Sequence, residues 1–423
     1  MKQRIGLRYG KQKIELRVDS ERVSYNLEPS HLEVAETHEE IKRTLSNPLG
    51  SERLMDIVKP GNKVVVLGDD ATRLTPTKTL VPYVLDEINA GGVPDEDILL
   101  IIATGTHRAM TERERWDKYG PAVTERVRVL NHDCLDQSNL VSCGVTRRGT
   151  DIWINRMVIE SDVRVAVGNI VPHHPTGWSG GAKMLLPGVA GQHTTGQMHL
   201  LGATEQQLGK LETPCREEME DFAEATGLDF IVNTILNSKG EVIRIVSGHF
   251  IEAHREGVRW GQRVYGVPFQ QKSDITVSST FPVDHDLFQA DKGLFSAAIS
   301  TNQNGEIILL SPCYEGVSPT HPESVDLASL SDDELFKLAA AANGNDPLSI
   351  AEVLYLNSAK KGFNITLASE GISEEIAWKF NFNHIHPHDL QEYVDQRMAQ
   401  DSDRTLGIIH NSAETLPIYK KTV

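Results

Sequence analysis

The chain has 423 residues, with 59 Asp+Glu against 42 Lys+Arg and a formal charge of −17. That length has room for two or more domains with a sizeable core. The acidic balance excludes nucleic acid or an anionic membrane as a bulk partner, because both require a basic face; a small anionic ligand needs only a local positive pocket.

The N-terminal stretch MKQRIGLRYGKQKIELRV has no apolar core of signal-peptide length. No run reaches the roughly 18 apolar residues of a membrane span, so no membrane partner is expected. Ile5 and Leu7, then Ile14, Leu16 and Val18, alternate with polar residues around Gly10 and predict a β-hairpin. Short β-branched runs follow at 63–67 (KVVVL), 98–103 (ILLIIA), 127–130 (VRVL) and 163–167 (VRVAV). With helix-period segments such as 80–90 between them, they predict parallel strands buried on both faces. Residues 213–225 read as a helix with Thr213 and Pro214 at its start, and 251–264 as a connecting helix. Beyond VPFQQK at 267–272 the pattern returns, with strand runs at 275–278, 307–310, 365–367 and 406–409. Helical stretches lie at 331–342, 347–355 and 387–398. The expected fold class is α/β, with two α/β domains, 1–266 and 273–404, and parallel-rich sheets. A last strand within 405–423 is expected to return to the first domain. Cys134, Cys143, Cys215 and Cys313 form no CxxC pair, which fits a reducing cytoplasm.

In open α/β sheets, ligands bind at the carboxyl ends of strands. After the first run come Gly68, Asp69, Asp70, Ala71, Thr72 and Arg73; after the second, Thr104, Gly105, Thr106, His107 and Arg108. The third is followed by Asn131, His132 and Asp133, and the fourth leads to His173 and His174. Of these histidines, His132 has the strongest case for a purely structural role. Residues 171–199 hold six glycines, four histidines, one lysine and no carboxylate. Gly177, Gly180 and Gly181 before Lys183 predict a turn of backbone N–H donors that opens into a helix and can cradle an anion. It is not a P-loop, because Ala182 and Met184 flank Lys183 where Gly and Ser/Thr are required. A GxGxxG after a strand is missing, which disfavours freely dissociating NAD.

Lys183 is open to three roles: phosphate ligand, surface charge, or amine bonded to a cofactor. Its apolar neighbours Met184, Leu185 and Leu186 would bury it and lower its pKa. No HExxH exists; a single imidazole ligand to a borderline metal such as nickel fits His193 or His199. His384, His386 and His388 read as a solvated loop. Gln289 and Lys292 share a helix face at three-residue spacing, and with Arg73 they would grip one carboxylate between the domains.

These residues assemble into DDATR at 69–73, TGTHR at 104–108, PHHPTGWSGGAK at 172–183, His199 sixteen residues after Lys183, and QADKG at 289–293. On them the chain resembles, end to end, the nickel-pincer-nucleotide-dependent lactate racemase family of 2-hydroxyacid racemases and epimerases. The resemblance implies an active site in the interdomain cleft. It also implies a pyridinium-3-thioamide-5-thiocarboxylic acid mononucleotide nickel cofactor, attached covalently through Lys183, with His199 as metal ligand. His107 and His173 would be the catalytic acid/base pair. Asp70, Thr104, Gly105, His174, Ser179, Gly180 and Gly181 would contact the cofactor. Arg73, Gln289, Lys292, Phe288 and Trp178 would contact a small 2-hydroxy acid, lactate-like or larger. Cofactor-building enzymes would be its partners. Phe288 stands where the family pattern has Tyr, which points to a different or larger substrate. A keto-acid-releasing dehydrogenase and a non-catalytic binder of an anionic metabolite are the alternatives, and the sequence does not set the oligomeric state.

Overall fold

A computed structural model describes residues 2–203, 206–341 and 346–420. The last residue of the expected 331–342 helix and the end of the 405–423 segment lie outside the described residues. A hairpin (β1, Lys2–Tyr9; β2, Gln12–Asp19) precedes β3 (Val23–Leu27). The first sheet follows, from β4 (Val64–Gly68), β5 (Ile98–Ile102), β6 (Arg128–Asn131), β7 (Val163–Asn169), β8 (Phe230–Leu236) and β9 (Val242–Gly248). Its order is β9-β8-β7-β4-β5-β6, parallel except for β9 against β8. All five residues of β4 are buried, as strands covered by helices on both faces require.

The second sheet is built from β10 (Ser273–Ser279), β11 (Thr301–Leu310), β12 (Asn364–Ala368), β13 (Asn383–Ile385) and β14 (Leu406–Ile409), with β3. Its order is β13-β12-β11-β10-β14-β3, parallel throughout. The hairpin lies over this sheet: Ile5, Leu7, Tyr9, Leu16 and Val18 share a core with Ile275, Val277, Ile308 and Leu310. Fully buried Leu7 and Leu16 contribute about 2 kcal/mol each by leaving water.

The sheets do not divide the chain at 266 as expected. Residues 2–27 go with the second sheet, and β14 sits between β10 and β3. The interruption at 267–272 is itself partly a strand, because Gly266–Phe269 pairs in parallel with Leu416–Tyr419. Pairing between segments so far apart leaves no trace in local periodicity.

Four helices matter for the site: α1 (Gln192–Leu200), α2 (Pro214–Thr226), α3 (Lys292–Ser300) and α4 (Pro347–Lys360). Thr213 caps α2 by accepting from the Arg216 N–H, with Pro214 in the first turn. Among the described residues no helix is long and apolar enough to cross a membrane.

Candidate active site

A cavity of about 280 Å³ is lined from the carboxyl ends of strands in both sheets. Asp70 and Arg73 follow β4, Thr104, Gly105 and His107 follow β5, and His173, His174, Ser179, Gly180 and Lys183 follow β7. Phe288, Gln289 and Lys292 follow β10, and His321 follows β11. His199, in the last turn of α1, completes the wall.

Polar contacts join the two sides. The Asp70 carboxylate accepts from the Thr72 N–H at 3.0 Å and lies 2.7 Å from His107 Nδ1. Arg73 donates to Thr72 Oγ1 at 2.9 Å, fixing the turn. Across the cavity, Lys292 Nζ donates to Gln289 Oε1 at 2.7 Å, which turns the Gln289 amide nitrogen toward His107 Nε2 at 3.2 Å. An amide N–H can only donate, so this arrangement assigns His107 the Nδ1–H tautomer with its lone pair on Nε2. Burial raises the Asp70 carboxyl, but the neighbouring His107 and Arg73 outweigh it and hold the group below the usual carboxylate range.

His173 reaches the same tautomer by another route. Thr176 Oγ1 donates to the Trp178 carbonyl at 2.9 Å and therefore accepts from His173 Nδ1 at 3.0 Å. The His173 lone pair is again on Nε2. Burial, then the charge of Lys183, pushes this ring's pKa well below 6.5.

The loop that presents Lys183 is held from behind. A two-residue ribbon pairs Pro172–His173 with Gly177–Trp178. Gly177 has φ +73, and a Cβ there would meet the Lys210 carbonyl at 1.9 Å, so only glycine fits. The buried Arg216 guanidinium donates to the carbonyls of Gly180 and Trp178. Among the described residues the Lys183 amine has no hydrogen-bond or ion-pair partner. Burial, with the charges of Arg73, Lys292 and Arg216, lowers its pKa to about 7. Both ring nitrogens of His199 are buried and unpartnered. Burial, then Lys183, pulls that ring to about 3.

Three expectations are corrected. The glycine-rich turn does not open into a long helix but forms a single 3-10 turn, Gly181–Met184. Its N–H groups are spent inside the protein: Gly181 N donates to Asn233 Oδ1 at 2.8 Å and Lys183 N to the Gly180 carbonyl at 3.3 Å. Gly181 thus stands behind the cavity wall rather than on it. Trp178 does not line the cavity either. It is fully buried, its ring lies flush on Gly261, and its Nε1 donates to the Gly209 carbonyl at 3.0 Å.

His132 is structural, with Nε2 on the Ala190 carbonyl at 2.9 Å and Nδ1 near the Asn155 amide. His384 bonds the Ser369 carbonyl far from the cavity, and His193 points away from it, 3.9 Å from Asp151. The sequence reading missed His321, whose Nδ1 lies 2.7 Å from Asp346 and whose buried Nε2 is free, and also Glu352. Applying the strand-end rule to the run ending at Leu310 would have marked the loop that carries His321. Glu352 lies mid-helix and left no such signal.

Residues 9–209 match the family model described as the lactate racemase N-terminal domain. The chain is 30% identical over 327 residues to a lactate racemase of Thermoanaerobacterium thermosaccharolyticum, covering 74% of this chain and 75% of the relative. It is 29% identical over 322 residues to a lactate racemase of Lactiplantibacillus plantarum, with the same coverage. In three dimensions it is similar to the lactate racemase apoprotein of T. thermosaccharolyticum (TM-score 0.86, 24% identity, 98% of this chain and 100% of that one). It is also similar to a protein from Thermotoga maritima (TM-score 0.73, 21% identity, 93% and 100%).

Proposed function

The chain belongs to the lactate racemase family and is an isomerase, and from that premise we propose that it inverts C2 of a 2-hydroxy acid, lactate or a larger relative. The observation that carries the reading is the pair His107 and His173, both Nδ1–H tautomers with Nε2 lone pairs, on one cavity that also holds Arg73, Gln289 and Lys292.

The residues present fit a covalently held nickel-pincer nucleotide. Lys183 is a half-buried amine on the cavity wall without a partner among the described residues, half of it uncharged near pH 7 and so nucleophilic. His199 is a buried imidazole with both nitrogens uncommitted among the described residues, and it is neutral at neutral pH. On this reading Lys183 carries the covalent link, His199 ligates the metal, and Thr104, Gly105, Ser179 and Gly180 form the adjoining wall. When bound, the group supplies a reversible acceptor for the C2 hydride, the step no side chain here can perform.

The chain's own residues do the rest. Arg73 and Lys292 bind the substrate carboxylate, and Gln289 holds the Lys292 ammonium in position. One histidine takes the hydroxyl proton at Nε2 as the C2 hydrogen leaves, producing a 2-keto acid. The carboxylate stays clamped while the carbonyl turns its other face, and the second histidine returns a proton to the oxygen. The two bases serve opposite enantiomers. His107 has the Asp70 carboxylate as counter-charge, whereas His173 has only the neutral Thr176 hydroxyl and is unprotonated at neutral pH. Proton gain at His107 is therefore balanced by a carboxylate, whereas at His173 it is not. Phe288 places an apolar edge on the cavity beside the clamp, which supports a 2-hydroxy acid with a larger or different C3 substituent as a candidate alongside lactate.

The test is to incubate the protein, matured with cofactor-building enzymes and nickel, with single enantiomers of a panel of 2-hydroxy acids and follow them by chiral chromatography. Loss of optical purity for one acid, without net keto acid, is expected. Retained optical purity across the panel, or keto acid accumulating with a reduced external cofactor, would overturn the reading.

A further inference from the structure

Behind His173, a second group of side chains meets without satisfying one another. His174, Asp291 and Glu352 each bring one ligand-type atom to within 4.8 Å of the others. The residues come from three separate places: the loop after β7, the residue before α3, and the second turn of α4. Both ring nitrogens of His174, both carboxylate oxygens of Asp291 and Oε2 of Glu352 are buried and have no hydrogen-bond partner among the described residues. Buried polar atoms are normally paired, and an unpaired carboxylate is the costliest exception.

Two features show that this is a built arrangement. Asp291 joins the short helix Leu287–Ala290 to α3 in helical backbone conformation (φ −55, ψ −27), and its fully buried side chain makes no capping bond. Its carboxylate brings an oxygen into the cluster. The His174 ring is positioned by stacking rather than by hydrogen bonds. Phe295 lies parallel to it at 4.2 Å with an 8° interplanar angle, and Tyr355 stands edge-on at 4.8 Å. Stacking fixes the ring and leaves both nitrogens available.

We propose that His174, Asp291 and Glu352 bind a divalent cation of the Zn²⁺ or Mn²⁺ class, at a position separate from His199. Bonds of about 2.1 Å to such an ion set its ligand atoms roughly 3–3.5 Å apart, so the present spread, within 4.8 Å, needs an inward adjustment of about 1–2 Å. One imidazole with two carboxylates favours these ions over Ca²⁺ or Mg²⁺, which prefer oxygen alone. His174 and Glu352 line the cavity, which gives the ion an entry path and leaves its open positions facing the cavity. The Lys292 ammonium opposes a dication by repulsion, but its Nζ is directed at Gln289 Oε1, 2.7 Å away. The ion ties the loop of the first sheet to α3 and α4 of the second.

The experiment uses the full chain produced without cofactor-building enzymes and stripped with a chelator. Zn²⁺ titration by calorimetry is expected to give one equivalent, and Mn²⁺ electron paramagnetic resonance is expected to show coupling to one imidazole nitrogen. Glu352→Gln and Asp291→Asn should each weaken binding by more than ~100-fold, beyond the loss usual for residues outside the ligand shell; His199→Ala should not. Thermal unfolding separates ligand loss from misfolding: Zn²⁺ raises the Tm of the wild-type chain but not that of Glu352→Gln, whose metal-free Tm reports its fold. No Zn²⁺-dependent rise in the wild type, wild-type affinity in Glu352→Gln, or binding that is lost only in His199→Ala or His321→Ala would each overturn the assignment. None of these outcomes bears on the racemase reading, since no cofactor is present.

Discussion

Asp70 Oδ2 lies 2.7 Å from His107 Nδ1, so the carboxylate sets which imidazole nitrogen faces the cavity and neutralises the ring when it gains a proton. Asparagine at 70 keeps the shape but removes the charge, and an amide turned with Nδ2 toward the ring forces the proton onto Nε2. We expect Asp70→Asn to lower kcat by roughly 10²–10⁴ with a smaller change in KM. For a pair of enantiomers the equilibrium constant is one, so kcat/KM must fall equally in both directions. Steady-state rates from each enantiomer check this, and a variant with more than half the wild-type kcat removes Asp70 from the mechanism.

Gln289 touches both the clamp and the base, through Lys292 Nζ and His107 Nε2. Removing it should therefore raise KM and lower kcat together, whereas Lys292→Ala should act mainly on KM. Because the two side chains are bonded, the double variant should lose less than the sum of the singles, with a coupling of about 1 kcal/mol. Strict additivity in kcat/KM would mean that Gln289 does not position Lys292.

Lys183 imposes a pH-dependent strain on the cofactor-free fold. Its amine titrates at 10.5 in an ordinary setting and at about 7 here. Between those values the unfolded chain holds a proton that the folded chain has lost, so stability rises with pH across that window. Below pH 7 both states are protonated and the full penalty applies, at most about 5 kcal/mol. Lys183→Met should thus stabilise the cofactor-free protein most below pH 7, with the gain shrinking toward pH 10. Denaturant melts from pH 6 to 10 read this directly; a gain independent of pH would contradict the buried amine.

His132 and His173 follow strands of the same sheet but should respond in opposite ways. His132→Ala leaves the Ala190 carbonyl and the Asn155 amide without partners, at a cost of about 1–3 kcal/mol, while the kcat of the folded fraction stays near wild type. His173→Ala should abolish inversion with a far smaller loss of Tm. Melting curves and rates on the same preparations distinguish the two.

The parallel strands were legible because Val64–Leu67 and its counterparts are apolar on both faces, a pattern that only a sheet covered on both sides produces. The strand-end rule then led directly to Asp70, Arg73, His107, His173 and Lys183, which the fold brings to one cavity. What escaped was whatever depends on distant pairing or on support from behind. β8 carries Asn233 and Thr234 in its middle, so it does not read as a continuous apolar run. The structure buries both, and Asn233 holds the Gly181 N–H. Trp178 looked like a pocket residue from its place in the glycine loop, but the missing Cβ at Gly261, 83 residues later, gives its ring a flat seat in the core.

The pairing of β3 with β14 also sets an order in time. Residues 23–27 are among the first to be synthesised, yet their ladder partner, 406–409, is among the last. At about 5–20 residues per second, the interval is roughly 20–80 s. Throughout it, the apolar face of the hairpin, with Leu7 and Leu16, has no completed sheet to cover. A nascent chain stalled after the first sheet would therefore expose that face. The second sheet, which carries part of the cavity wall, is assembled only when translation is nearly finished.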